Sequence, residues 1–409
     1  MKTNRKMLKT MHETGRLIFS GSSRSAASMF QRMFPRNRST DPDQRSKTGA
    51  AIAAPQNSVA GKRGSRRRPN IVLECASDSA PGSTGSQMQP DLVVKSQGIR
   101  RFKSAKVEAN TGAQFLTRSY TNQAGTREYK LFIPSGYSGQ ALPLIVMLHG
   151  CKQDPDDFAA GTRMNDLAEE QQCLVAYPAQ TSSANGFRCW NWFNSVDQQR
   201  GQGEPSIIAG ITAEIIENYH ADKQRIYVAG LSSGGSMAVI MGTTYPDLYA
   251  AVGVHSGLAY AGANNLYSAI LAMRRGARLA PYDADHTGAT DACPRAISTI
   301  VFHGDEDKTV HPDNGDQVMA HSAPNSIGGT PPTEMEMSVK RGQVPNGHDY
   351  TQTIYFDHAR KVVAEHWLVH GAAHAWSGGN PAGSFTDPKG PDATREMLRF
   401  FFSQSQSSS

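Results

Sequence analysis

The chain alternates short apolar runs with longer segments that mix apolar and polar residues. Runs typical of strands lie near residues 127–133, 142–148, 173–177, 225–229, 250–254, 297–302 and 364–369. Segments compatible with helices lie between them, near residues 155–171, 206–219, 235–244, 312–321 and 391–402. This alternation predicts an α/β fold, a doubly wound and mostly parallel sheet with helices on both faces. The carboxyl ends of parallel strands meet at one edge of such a sheet, and we expect the functional groups there.

Composition changes sharply near residue 110. Residues 1–110 hold 21 Lys and Arg against 7 Asp and Glu, whereas the rest of the chain is acidic. This first segment is rich in Ser, Arg, Gly, Gln and Pro, a composition that cannot bury a core. We therefore predict a disordered basic tail over 1–110, a folded domain over 111–403 and a disordered C-terminus over 404–409.

The tail contains a basic cluster at Lys62, Arg63 and Arg66–Arg68. Most such runs are solvated segments, and we favour that interpretation. The alternative is an electrostatic tether to an anionic surface such as phospholipid, nucleic acid or a coated polymer granule. We predict no specific nucleic-acid partner and no transmembrane segment, since no apolar run is long enough to cross a bilayer. The sequence leaves the oligomeric state open.

The most informative motif follows the apolar run 225–229. It reads Gly230-Leu231-Ser232-Ser233-Gly234 and precedes a segment of small and apolar residues suited to a buried helix. A serine on a sharp turn between a strand and a helix needs small neighbours, because the backbone there is strained and closely packed. The turn exposes the hydroxyl and leaves the next backbone N–H available to an oxyanion. We predict that Ser232 is a nucleophile.

Two later strands also end in reactive groups. The run 297–302 ends in His303-Gly304-Asp305-Glu306-Asp307, and the run 364–369 leads to His374. Hydrolases of this class carry serine, acid and histidine in this chain order. Both Asp305 and Asp307 are close enough in sequence to reach the histidine loop, so the strands alone leave the acid open.

The most apolar run, 142–148, ends in His149-Gly150-Cys151. An oxyanion site needs a second backbone N–H from a loop of this kind. We predict that the amide of Cys151 pairs with that of Ser233, and that His149 positions the loop and is not a base.

These motifs together resemble the polyhydroxybutyrate (PHB) depolymerase-like serine esterases, a group that includes feruloyl and acetylxylan esterase relatives. The resemblance covers roughly residues 112–403 and rests on "LHGCKQDPDDFAAGTRMNDLA", "CLVAYPAQ", "RCWNWF", "YVAGLSSGGSMA", "VFHGDEDKTVHP" and "HGAAHAWSGG". It implies an α/β-hydrolase fold with Ser232 as nucleophile, Asp307 as acid, His374 as base and an oxyanion amide on Cys151. Ser233 stands where the family more often has alanine.

The resemblance also implies a function. We expect a carboxylic ester hydrolase that acts through an acyl-enzyme on poly(3-hydroxybutyrate) or its hydroxyalkanoate oligomers. A feruloyl or acetylxylan-type esterase is the alternative, and a hydrolase-fold binding protein is a non-enzymatic one. Many family members are secreted, which implies an extracellular location. The short apolar stretch Leu17–Phe19 is no signal-peptide core, which favours the cytoplasm instead.

Cysteine and tryptophan positions add further expectations. The cysteines of the folded region are Cys151, Cys173, Cys189 and Cys293. Four cysteines allow three full pairings. We predict a bridge between Cys151 and Cys189, which lie in motifs near the site, and a buried thiol at Cys173. The tryptophans Trp190, Trp192 and Trp376 are candidates for a substrate wall, with core packing as the alternative. No spacing typical of a zinc or dinucleotide site occurs, so we expect no cofactor and no metal.

Overall fold

The structure is a computed structural model that describes residues 112–277, 297–322 and 336–406. The basic tail predicted over 1–110 lies outside these residues, as do its proposed surface contact and Cys293. Among the helices of the three described ranges, none is both long and apolar enough to cross a bilayer.

A ten-stranded sheet organises the described part of the chain. Its strands are β1 (Gln114–Asn122), β2 (Gly125–Ile133), β3 (Leu144–Leu148), β4 (Leu174–Pro178), β5 (Ile226–Leu231), β6 (Ala251–His255), β7 (Ser298–Gly304), β8 (Met337–Gln343), β9 (Asp349–Phe356) and β10 (Val362–Val369). Their spatial order is β1-β2-β4-β3-β5-β6-β7-β10-β9-β8. The central strands from β4 to β10 are parallel, and antiparallel strands flank them on both sides. This order confirms the predicted fold class.

The strand order reverses between β3 and β5. The chain passes from β3 outward to β4 and then returns to place β5 on the other side of β3. Because parallel crossovers are right-handed, connections in the two directions cover opposite faces of the sheet. A crevice opens outside the carboxyl ends of the strands at such a reversal, and ligands bind there. Residues 149–151 and 232–233 follow these two strand ends.

Helices connect the strands. They are α1 (Pro155–Thr162), α2 (Met164–Gln171), α3 (Gly203–Tyr219), α4 (Ser233–Thr244), α5 (Leu266–Arg275), α6 (Asp313–Ser322) and α7 (Ala393–Phe402), with a 3₁₀ turn over Ser195–Gln198. Two further short strands, β11 (Trp376–Ser377) and β12 (Thr386–Asp387), pair beside the sheet.

The helix predicted over 155–171 is two helices. Arg163 has a left-handed φ of 55°, and its amide donates to the carbonyl of Ala159 at 3.0 Å, which ends α1. The interruption accompanies a close approach of two loops, because a Cβ on Gly383 would lie 2.4 Å from the Cα of Gly161. Tertiary packing therefore divides a segment that the local sequence predicts to be one continuous helix.

Three strands of the ten-stranded sheet, the two short strands β11 and β12, and one helix were missed by the sequence pattern. Strands β1 and β8 form the sheet edges and are largely exposed, so their apolar residues are few and scattered. The strand β9 pairs with β8 and alternates only weakly. The helix α5 presents Tyr267 and Leu271 to solvent, which obscures its buried side.

The C-terminal segment is ordered further than predicted. Disorder was expected from residue 404, but the side-chain amide of Gln404 donates to the carbonyl of Val362 at 2.8 Å. The hydroxyl of Tyr227 donates to the Gln404 carbonyl at 2.9 Å. The expectation was wrong for Gln404. Its partners Val362 and Tyr227 are distant in the sequence, so the sequence does not show that they anchor this residue.

A buried carboxylate holds α7 against the sheet. Glu365 on β10 is 1% exposed, and its Oε2 accepts hydrogen bonds from Gln352 at 3.0 Å, Trp367 at 3.2 Å and Arg399 at 2.6 Å. Arg399 is the only one of these three partners that carries a positive charge. A buried carboxylate is tolerated when it is paired and hydrogen-bonded.

We expect Arg399→Ala to lower the free energy of unfolding by about 2–3 kcal/mol, because it removes a charged donor from a buried carboxylate. Urea unfolding monitored by circular dichroism measures this change. The matched control is Arg395→Ala on the same helix, whose side chain is 59% exposed and should contribute less than about 1 kcal/mol. Equal effects of the two substitutions would contradict the anchoring role of Arg399.

Candidate active site

Ser232 lies on a strained turn between β5 and α4. Its φ is 57° and its ψ is −118°, a left-handed conformation that a side-chain-bearing residue rarely adopts. The flanking glycines are required by packing. A Cβ on Gly234 would lie 2.0 Å from the carbonyl oxygen of Leu148, and one on Gly230 would lie 2.4 Å from the Gly234 backbone. The predicted turn is present, and Ser232 is buried within it, not on the surface as expected.

The loop of residues 149–153, here called the oxyanion loop, faces this turn. The amide of Gly150 donates to Gln153 Oε1 at 2.9 Å, and the amide of Lys152 donates to the carbonyl of Phe187 at 2.7 Å. The amide of Cys151 between them has no hydrogen-bond partner among the described residues. Ser233 is the first residue of α4, where amides lack partners within the helix. Two backbone donors are thus available beside Ser232.

The predicted bridge between Cys151 and Cys189 is present, with Cα atoms 4.2 Å apart. It ties the oxyanion loop to the segment 187–190. Two more contacts join the same elements, because Arg188 donates to the carbonyl of Lys152 at 3.0 Å and Trp190 Nε1 donates to that of His149 at 3.1 Å. The loop is therefore held in place before any ligand arrives.

Cys173 is a buried free thiol, as predicted. Burial raises its pKa to about 12, so it stays protonated and unreactive in the core.

His149 is buried and serves the loop. Its Nδ1 donates to the carbonyl of Gly150 at 2.8 Å, and its Nε2 accepts from the amide of Gln180 at 3.0 Å. Burial lowers the pKa of His149 to about 4, so the ring is neutral. This arrangement agrees with a positioning role.

A buried carboxylate, Glu204, supports the segment to which the oxyanion loop is bridged, and the sequence pattern did not indicate it. Glu204 Oε2 accepts from the amide of Asn191 at 2.8 Å, and its Oε1 accepts from Asn191 Nδ2 at 2.8 Å. Arg127 lies 3.4 Å from the same carboxylate, and Gln180 also donates to it. Gln180 in turn donates to the carbonyl of Cys189 at 2.9 Å. The partners are far apart in sequence, so no local pattern indicates this network.

The structure places Asp307, and not Asp305, against His374. The distance from His374 Nδ1 to Asp307 Oδ2 is 2.6 Å. Asp305 instead accepts from the ring of His370 at 2.8 Å and from the amide of Gly371 at 2.7 Å. The two carboxylates therefore contact different residues of the loop that follows β10.

Asp307 is held as a carboxylate. Its Oδ1 accepts from the amides of Thr309 at 2.8 Å and Val310 at 2.9 Å. Burial alone would raise the pKa of Asp307, but the neighbouring rings of His374 and His303 outweigh burial and hold it well below the ordinary value. An ionised carboxylate fixes the His374 ring with Nδ1 protonated and Nε2 available as a base.

His255 connects the turn of Ser232 with the loop that follows His374. The amide of Ser232 donates to the carbonyl of His255 at 2.8 Å, and the amide of Ser377 donates to His255 Nε2 at 2.9 Å. Burial, with His303 and His374 nearby, lowers the pKa of His255 to about 3, so this ring is a neutral acceptor. Ser232 and the His374 loop are brought together through this residue.

A sequence signal for these supporting histidines exists. His149, His255 and His303 each stand at or next to the carboxyl end of a central strand, and each is almost fully buried. An ionisable side chain at the end of an apolar run, repeated on several strands, indicates groups gathered at one edge of the sheet. Sequence reasoning treated only His149 in this way.

The three tryptophan candidates are all buried. Trp190 and Trp376 are buried, and Trp376 stacks on His255 at 5.2 Å and donates to Thr394 at 2.9 Å. Their contacts favour the packing alternative over direct contact with a ligand. Trp192 is 5% exposed and packs edge-to-face on Phe193 at 5.7 Å. Within the described ranges, no group of three or more His, Cys, Asp or Glu side chains is arranged to hold a metal.

Several known proteins are similar to this chain. Residues 127–324 match a family described as esterase PHB depolymerase. The chain is 33% identical over 202 residues to poly(3-hydroxyalkanoate) depolymerase C of Paucimonas lemoignei, which covers 49% of this chain and 48% of that protein. Feruloyl esterase B of Neurospora crassa is 30% identical over 263 residues, 61% of this chain and 84% of that protein.

A probable acetylxylan esterase A of Neosartorya fischeri is 28% identical over 213 residues, 49% of this chain and 56% of that protein. The chain thus spans about half the length of the Paucimonas and Neosartorya relatives. Among solved structures, an acetyl xylan esterase from Aspergillus awamori aligns with a TM-score of 0.53 at 19% identity. That alignment covers 71% of this chain and 99% of the other, which shows a shared fold.

We expect Cys189→Ala to slow the labelling of Ser232 by a fluorophosphonate probe at least about tenfold. The substitution leaves the Cys151 amide in place but releases the loop that carries it, and a misplaced oxyanion donor costs rate. Intact-protein mass spectrometry measures the labelling rate, and thermal unfolding verifies the fold. The control is Cys173→Ala, which removes a thiol outside the bridge. A labelling rate unaffected by loss of the bridge would contradict this role.

Proposed function

The chain belongs to the esterase PHB depolymerase family, and from that premise we propose that it is a serine-dependent carboxylic ester hydrolase. The proposal rests above all on one observation. The Asp307–His374 pair, joined at 2.6 Å, lies at the same sheet edge as a serine on a strained turn between two available backbone donors. This combination suits acyl transfer from an ester to a serine hydroxyl.

In the proposed reaction, His374 Nε2 removes the proton of Ser232 as the hydroxyl oxygen attacks the ester carbonyl. Asp307 keeps the ring in the required tautomer and stabilises its positive charge. His374 then returns the proton to the leaving alcohol. Water attacks the resulting acyl-enzyme by the same route, which releases the acid and restores Ser232. We expect a contact of about 2.6–3.2 Å between Ser232 Oγ and the ring when an ester is bound.

The charge that develops on the carbonyl oxygen has two proposed donors, the amides of Cys151 and Ser233. Both belong to elements that are fixed in advance, since one lies on a disulfide-anchored loop and the other begins α4. Donors that need no rearrangement stabilise a transition state most effectively. The N-terminus of α4 adds a favourable dipole.

For the substrate, we propose poly(3-hydroxybutyrate) or its hydroxyalkanoate oligomers, supported by the 33% identity to the Paucimonas depolymerase. The alternative is an aromatic or acetyl ester of plant polysaccharide. It is supported by the feruloyl esterase, of which this chain covers 84%. Trp192 is the proposed aromatic contact with the acyl group in either case.

We further propose that the protein works outside the cytoplasm. The Cys151–Cys189 bridge supports this location, because structural disulfides persist in oxidising compartments and are rare in the cytosol. The tether of the basic tail to an anionic surface stays a prediction of the sequence.

Ser232→Ala should abolish ester turnover, at least about 10⁴-fold in kcat, since no other group can form the acyl-enzyme. Initial rates on 3-hydroxybutyrate oligomers, amorphous polymer, methyl ferulate and acetylated xylan measure this and rank the substrates. We expect kcat/KM to be highest for the 3-hydroxybutyrate oligomers. Ser298→Ala, at the opposite end of the sheet, is the control. Turnover that survives Ser232→Ala would refute the mechanism, and a preference for ferulate or acetylxylan would favour the alternative.

Asp307→Asn should reduce kcat by about 10⁴-fold, because an amide would hold His374 in the wrong tautomer. Asp305→Asn should change kcat less than about threefold, because its partners are His370 and Gly371. The two substituted positions lie two residues apart in the same loop, which makes the variants a matched pair. A larger loss in the Asp305 variant would mean that the acid has been assigned to the wrong carboxylate.

A further inference from the structure

His303 lies beneath the Asp307–His374 pair and makes no contact with the proposed reacting atoms. It belongs to β7 and is fully buried. Its Nε2 lies 2.9 Å from the carbonyl oxygen of Val310 and 3.5 Å from Asp307 Oδ2. Asp307 Oδ2 is the oxygen that also meets His374. His303 and the expected base His374 therefore both lie close to the same carboxylate oxygen.

The contact with Val310 determines which nitrogen of His303 carries the proton. A carbonyl oxygen only accepts hydrogen bonds, so Nε2 must be the protonated nitrogen. The N–H group then points toward both Val310 and Asp307. If the ring is neutral, its Nδ1 is an acceptor that requires a donor from elsewhere.

The other ring nitrogen of His303 lies near a nitrogen of His366. His303 Nδ1 and His366 Nε2 are buried, and neither has a hydrogen-bond partner among the described residues. Both point toward Gly315 of α6, where a Cβ would lie 2.9 Å from His303 Nδ1 and 3.2 Å from His366 Nε2. The absence of a side chain on this residue leaves room between the two nitrogens.

We infer that His303 is a positioning residue for Asp307, and that a buried water molecule held between His303 Nδ1 and His366 Nε2 beside Gly315 fixes its orientation. The water donates to His303 Nδ1 and thereby keeps the proton on Nε2. The Nε2–H group then directs Asp307 toward His374 and shares the negative charge of Oδ2. This inference rests on the proposed ester hydrolase function.

Several ionisable groups surround this assembly. His374 and His255 lie on the side of the reacting groups, and His255 interacts electrostatically with His303, His374 and Asp307. On the far side, Asp316 Oδ1 lies 3.5 Å from His366 Nδ1 and is largely exposed. Burial lowers the pKa of His366 to about 4, so that ring is neutral near pH 7. Protonation of His366 therefore does not contribute to changes of activity near neutral pH.

The test compares the pH profile of kcat/KM for ester turnover in His303→Leu and His303→Gln. Leucine removes the donor, whereas the glutamine amide places an N–H group near the position of Nε2. Loss of the donor concentrates negative charge on Asp307, which stabilises protonated His374 and keeps the base protonated to higher pH. For His303→Leu we expect kcat to fall at least about tenfold with KM little changed. The acidic midpoint should rise by about half a pH unit or more.

His303→Gln should restore the acidic midpoint to that of the unsubstituted protein and recover most of kcat. Gly315→Ala tests the water, because its methyl group would occupy the space between the two nitrogens. We expect it to move the midpoint in the same direction by a smaller amount. Gly186→Ala is the control, since a Cβ there meets nothing within 4 Å.

The outcomes separate the two hypotheses. Failure of the unsubstituted protein to hydrolyse any ester, or activity retained by Ser232→Ala, would refute the proposed function itself. If that function holds, an unchanged acidic midpoint in His303→Leu, or a loss of kcat that glutamine does not restore, would refute positioning by His303. A normal midpoint in Gly315→Ala would refute the bridging water. Should His303→Leu fail to fold, the glutamine and alanine variants still decide the question.

Discussion

The close approach of Gly234 to the carbonyl of Leu148 is the constraint on which the site depends. No side chain fits between the turn after β5 and the end of β3. This contact forces Ser232 into a left-handed conformation and aligns the start of α4 with the oxyanion loop. The packing of the backbone thereby positions the nucleophile and the two amide donors. Backbone packing is more rigid than an arrangement held only by flexible side chains.

Buried histidines extend this rigidity around the sheet edge. His149 ties the end of β3 to the strand-end segment at Gln180, and His255 ties the end of β6 to Ser377. His303 does the same between β7 and the loop at Val310. Burial keeps His149 and His255 uncharged near neutral pH. Each neutral ring therefore joins the end of a strand to a neighbouring segment through a hydrogen bond.

The features that could be predicted from the sequence are those that a local pattern of residues encodes. The parallel strands were recognised because burial on both faces makes them continuous apolar runs, and the serine turn because its glycines are adjacent to it. The choice of Asp307 over Asp305 came only from family resemblance, since both follow the same strand. The contacts of Glu204 and Gln404 were not predictable, because their partners are distant in sequence and polar side chains at such positions are more often exposed.

The loop after His374 is fastened to elements near the start of the domain. Gln153 donates to Ser384 across 231 positions, and Thr394 donates to the carbonyl of Thr162 across 232 positions. The elements that orient the proposed base are therefore absent until almost the whole domain has been synthesised. A nascent chain that already displays the serine turn has no histidine loop to activate it. On the proposed mechanism, ester turnover therefore begins only after the C-terminal part of the domain has folded onto these earlier elements.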